Sequence, residues 1–125
     1  MDNKIRNFMD LNSWKLGHEL VLNIYRVTKT FPKEELFGLT NQVRRAAVSI
    51  TSNIAEGFSR NSLKEKIQFY FISLGSVTEV QNQIIIAKDL GYISDIEFGK
   101  MFDQCITVNK LLKGMIKSSK LKNYC

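Results

Sequence analysis

Catalysis or metal binding in this sequence would have to be built from one histidine, His18, two cysteines, Cys105 and Cys125, and twelve carboxylates. Zinc-type sites need several Cys or His ligands at short spacing. Neither CxxC nor HxxxH occurs, so no metal is expected. A Cys105–His18 pair is the one arrangement left for nucleophilic chemistry. Cys105, however, falls on an apolar helical stripe, where a thiol behaves as a small hydrophobe. Cys125 is the last residue and is expected to be mobile. Among the acids only Glu34 and Glu35 are adjacent, and they fall in a connection. Gly57-Phe58-Ser59-Arg60 lacks the glycines and the lysine of a phosphate loop. No catalytic residue, cofactor or enzymatic activity is expected.

The charge pattern offers a different chemistry. Eighteen Lys and Arg against twelve Asp and Glu leave +6, a balance that favours anionic partners such as nucleic acid. From Lys110 onward there are five lysines and no acid. Lys110, Lys113, Lys117 and Lys120 follow helical spacing and form a cationic edge about 120° around from the core face. Arg44 and Arg45, with Arg60 and Lys64, are the second set of candidate phosphate contacts, since arginine grips two oxygens at once. A solvated helix face accounts for the same residues, and C-terminal lysines also complement the helix dipole by ~0.3 to 1 kcal/mol.

The elements that carry these residues read as helices throughout. A chain of 125 residues can bury a core as a single domain, 1–125, without disulfides. Its one proline, Pro32, leaves the rest free of the strongest helix breaker. Trp14, Gly17, Leu20, Val21, Ile24 and Val27 recur at three- and four-residue steps and predict a helix over about 11–29. Leu39, Val43, Ala47, Ile50, Ile54 and Gly57 predict a second over about 39–58, thin-flanked by Ala46 and Ala55 so that a neighbour can approach closely. Ser62 with Glu65 and Ser94 with Glu97 are capping-box pairs. They open helices over about 62–90 and 94–118, with Gly91 placed for a left-handed cap. Short connections favour an antiparallel up-down four-helix bundle, all-α. No apolar run approaches the ~20 residues of a membrane span, and the start, MDNKIRNFMDLNSW, lacks a secretory core, so a cytoplasmic protein is expected.

The third helix carries more apolar surface than one core needs. Val77, Val80, Ile84 and Ala87 define one stripe, and Ile67, Phe71, Leu74 and Ile85 a second, about 100° around. Phe69 to Ile72 point in four directions. Leaving two such aromatics in water forgoes ~1.5 to 3 kcal/mol each, so Ile67, Phe69, Phe71, Leu74 and Ile85 are candidate contacts in a homo-oligomer.

The run from Phe31 to Arg60, FPKEELFGLTNQVRRAAVSITSNIAEGFSR, resembles the signature of the four-helix-bundle proteins encoded by intervening sequences of bacterial 23S ribosomal RNA genes. The likeness extends to Trp14 and Tyr25, to Phe69, to Leu74-Gly75-Ser76 and to Leu90-Gly91-Tyr92-Ile93. It implies a cytoplasmic bacterial protein forming a homopentameric barrel without known catalysis. A related family, the accessory variability determinant of diversity-generating retroelements, implies a basic pentamer that associates with nucleic acid and a reverse transcriptase. Thr51 stands where the family pattern has proline. Asn53, Glu56 and Gly57 of the family's NIAEG run fit two readings: a polar network fixing a subunit contact, or a helix end closed by Gly57. RNA or DNA is thus the leading partner, and a protein partner held by a scaffold is the alternative.

Overall fold

The structure, a computed structural model, describes residues 4–123. Within them lie four α-helices and no strand: α1 (Asn12–Thr28), α2 (Leu39–Ser59), α3 (Leu63–Asp89) and α4 (Asp95–Asn123). α1 packs beside α2 and α4, and α3 completes the square against the same two. The connections at 60–62 and 90–94 are too short to reverse direction twice, so successive helices run antiparallel. One end of the bundle carries the 29–38 and 90–94 connections; the other carries residues 60–62, the start of α1 and the end of α4.

Inward faces follow the apolar spacing. Leu20, Ile24, Ile50, Ile54, Val77, Val80, Val108 and Leu112 are wholly shielded from solvent. α4 runs to Asn123, beyond the position near 118 where its apolar stripe thins, with Ser119 still buried in its final turns. α2 continues unbroken through Thr51, whose hydroxyl donates to the Val48 carbonyl.

Each serine cap supplies only half of its box. The Ser62 and Ser94 hydroxyls accept from the Glu65 and Glu97 backbone N–H groups, both at 3.1 Å. The Glu97 carboxylate does not turn back but meets the Arg26 guanidinium at 3.0 and 3.3 Å, tying α4 to α1. That partner holds Glu97 below the usual carboxylate range. A reciprocal box forms instead at Asn7 and Asp10, around a short 3-10 turn at Phe8–Asp10. Gly91 sits at φ +80, and the Gly91 and Tyr92 N–H groups donate to the Lys88 and Ala87 carbonyls, the Schellman closure expected of a glycine there.

The 29–38 connection is ordered by its own residues. Phe31 packs on Tyr92 with ring centroids 5.4 Å apart. Glu35 accepts from the Tyr92 hydroxyl at 3.0 Å and, through its other oxygen, from the Leu39 N–H that opens α2. Phe37 beside it is 90% exposed.

Candidate nucleic-acid interface

Two stripes that belong to different helices in the sequence meet in one groove. Phe71 and Leu74 of α3 face Ile116 and Leu121 of α4 across about 390 Å³, and Lys113, Lys117 and Lys120 line the same groove. The Lys120 ammonium lies over the Phe71 ring, 5.3 Å from its centroid, a cation–π contact between α4 and α3. Lys110 stands apart from this trio. It lines a separate cavity with Lys66 and Lys122.

The arginine set divides between the two ends of the bundle. Arg44 donates from Nε to the Thr28 hydroxyl at 2.8 Å and lies 4.8 Å from the Tyr25 ring centroid, bracing α1 against α2. Arg45 is exposed at the same end. Arg60, at the other end, pairs with Glu56 at 2.8 Å and covers the Phe69 ring at 4.8 Å. Lys64 is exposed one turn further. Arg44 and Arg60 therefore have intramolecular work, and Arg45 and Lys64 present the freer charges of this set.

Of the surplus apolar side chains, Tyr70 turns into the core at 4% exposure, while Ile67, Phe69 and Leu74 are half-buried. Phe71 at 48%, Ile72 at 52% and Ile85 at 39% remain in water. The aromatic run is thus partly absorbed within the chain, and the exposed remainder occupies both outer flanks of α3.

The NIAEG run makes contacts within the chain. Asn53 donates to the Ser49 carbonyl and hydroxyl, and the Ser76 hydroxyl joins the Ser49 hydroxyl at 2.8 Å, a polar seam between α2 and α3. Gly57 lies within the last turn of α2, not beyond it, and a Cβ there would stand 2.7 Å from the Tyr70 ring. Lys66, which neither charge stripe includes, donates to the Phe58 carbonyl at 2.6 Å and closes the end of α2; burial lowers its pKa. Its only sequence signal is its place one turn into α3.

The groups considered for catalysis are separated by environment. His18 is exposed and stacks on Trp14 at 4.7 Å. Cys105 is shielded completely, and burial pushes its thiol up to about 12. Cys125 lies outside the described residues. Among the described residues no cluster of three or more His, Cys, Asp or Glu could hold a metal, and no helix is long and apolar enough to cross a membrane.

Charge is segregated along the bundle axis. Divided at the helix midpoints, the end carrying the 29–38 connection holds Arg26, Lys29, Lys33, Arg44, Arg45, Lys88 and Lys100. It also holds Glu34, Glu35, Glu79, Asp89, Asp95, Glu97 and Asp103, which balance them one for one. The formal +6 thus rests on the remaining residues, and all the described ones among these lie at the other end.

A crystal structure of a protein of unknown function from the S23 ribosomal protein family of Bacteroides thetaiotaomicron VPI-5482 superposes with a TM-score of 0.78. At 23% identity over 84% of this chain and 98% of that one, the likeness shows a shared fold. No curated protein matches the chain. The family model of the 23S rRNA-intervening sequence protein matches residues 9–114, and with that span covered the chain belongs to this family.

Proposed function

We propose that the chain is a non-enzymatic cytoplasmic module that assembles with copies of itself and binds nucleic acid through its cationic end. The observation that carries this reading is the segregation of charge: the positive excess of the described residues sits at one end, with Lys113, Lys117 and Lys120 aligned there. Lysine-rich surfaces bind the phosphate backbone with little regard to base sequence. The exposed Phe71, Ile72 and Ile85 supply apolar area for contact between copies. In the pentameric barrel that the family resemblance implies, each cationic end is repeated, and weak contacts add through multivalency.

Electrophoretic mobility of a single-stranded RNA and of a duplex DNA, titrated with protein at low salt, tests the binding. Retardation that fades as salt rises is expected; unaltered mobility of both removes the reading. A protein scaffold without nucleic-acid binding is favoured by one specific feature, the Phe37 side chain standing 90% exposed beside Leu36 at 52% on the end where charge balances. Recovery of protein partners that survives nuclease, and is lost in Phe37→Ser, would favour the scaffold.

A further inference from the structure

A second cavity, of about 610 Å³, opens at the cationic end, walled by the last turns of α4, the first turns of α3, the end of α2 and the segment leading into α1. Its size is in the range of sites that take small organic ligands. Leu11, Phe58, Leu63 and Met115 give it an apolar floor, Lys66 and Lys122 line it near the end of α4, and Lys110 lines it about 18 Å further up that helix. Among the described residues no acidic side chain lines it. An occupant complementary to such walls is apolar along its body and anionic at one end.

Gly114 leaves room in the wall of this cavity. It lies in the interior of α4 and on the cavity wall, and a Cβ added there would meet nothing within 4 Å. Glycine is among the least favourable residues for a helix interior. Neither a crowded neighbour nor a positive φ requires it at this position. Gly75 and Gly99 are equally uncrowded away from the cavity, so Gly114 serves here as the position at which a side chain can be added to fill it.

We propose that this cavity binds a single-chain amphiphilic anion, its alkyl chain against Leu11, Phe58, Leu63 and Met115 and its anionic head at the end lined by Lys66 and Lys122. An anion beside Lys66 also favours the ammonium form that burial disfavours. The site is distinct from the Lys113, Lys117 and Lys120 groove and stands whether or not that groove binds nucleic acid.

The full chain is titrated calorimetrically with dodecyl phosphate and with dodecanoate, each below its micellar concentration. The comparison probes are inorganic phosphate, the non-ionic dodecyl maltoside and AMP. Saturable binding of one or both anionic amphiphiles is expected, with the stronger of the two identifying the head group. Gly114→Phe fills the cavity and is expected to abolish binding while the melting temperature holds or rises. Lys122→Gln, at an exposed position, is expected to weaken binding about tenfold by removing one charge-assisted contact. Absence of saturable binding by both amphiphiles overturns the proposal, as does equal binding of dodecyl maltoside or tighter binding of AMP. Unchanged affinity in both variants does so as well.

Discussion

Gly57 and Gly75 are both helical glycines, and their surroundings assign them opposite consequences. A Cβ on Gly57 would stand 2.7 Å from Tyr70 and 3.0 Å from Phe69, on the side of α2 that faces α3. Gly57→Ala is therefore expected to lose about 1 to 3 kcal/mol to overpacking, measured by urea unfolding. Gly75 meets nothing within 4 Å, so Gly75→Ala should gain roughly 0.5 to 1 kcal/mol by restricting the unfolded chain. The spacing of one helix marks Gly57 as an end signal, because it holds no information about which ring of α3 crosses there. Cys105 was legible from its stripe alone, and its burial has a chemical consequence. In a Cys125→Ser chain the remaining thiol should not react with a disulfide reagent at pH 8 until the protein is unfolded. With its folded pKa raised from 9.0 to about 12, the thiol ionises first in the unfolded chain. Stability it supports is full below pH 9 and declines as pH rises towards 12. Denaturant midpoints that stay flat over that window would contradict the burial.

Helices announce their ends and their inward faces in sequence, but not the direction in which their outer faces meet a neighbour. The serines at 62 and 94 read correctly as caps, because a hydroxyl before an apolar-periodic run has few other uses. Their glutamate arms did not, since Glu97 had a guanidinium within reach on another helix. Ser62→Ala should cost about 1 kcal/mol, seen as a lower denaturant midpoint with α3 still formed. The groove between α3 and α4 was less legible. Phe71 and Leu74 lie in one stripe and Lys113 to Lys120 in another, and only the rotation of the two helices about their axes brings them together. The same rotation leaves Phe71 48% and Ile85 39% exposed. Light scattering of the wild-type chain is expected to give a multiple of 14.4 kDa. Phe71→Glu with Ile85→Glu should return that mass to the single-chain value with unchanged helical circular dichroism. A wild-type mass of one chain, or a double variant that stays assembled, would place the apolar remainder of α3 outside any contact between copies.

At the scale of the whole molecule the number +6 matters less than its distribution. A molecule with its charge spread evenly would respond equally to any three neutralised lysines, because a polyanion would meet much the same field on every side. This bundle is expected to respond unequally. Lys113→Gln, Lys117→Gln and Lys120→Gln together remove three charges from the cationic end, whereas Lys29→Gln, Lys33→Gln and Lys100→Gln remove three from the balanced end. Both triples lower the formal charge by the same amount, and both alter exposed side chains. If phosphates seat on the cationic end, the first triple reduces the number of counterions released, and the slope of log affinity against log salt falls by about 0.9 for each duplex phosphate that is no longer neutralised. The second triple leaves that slope in place and shifts affinity only through weak, screened, long-range attraction, which fades beyond a Debye length of about 8 Å at physiological salt. Measured by fluorescence anisotropy with one labelled duplex across a salt series, two parallel lines for the wild type and the second triple, with a shallower one for the first, are the expected result. Equal slopes for all three proteins would mean that the segregated charge is a solubility feature and that any phosphates the protein grips are held elsewhere on its surface.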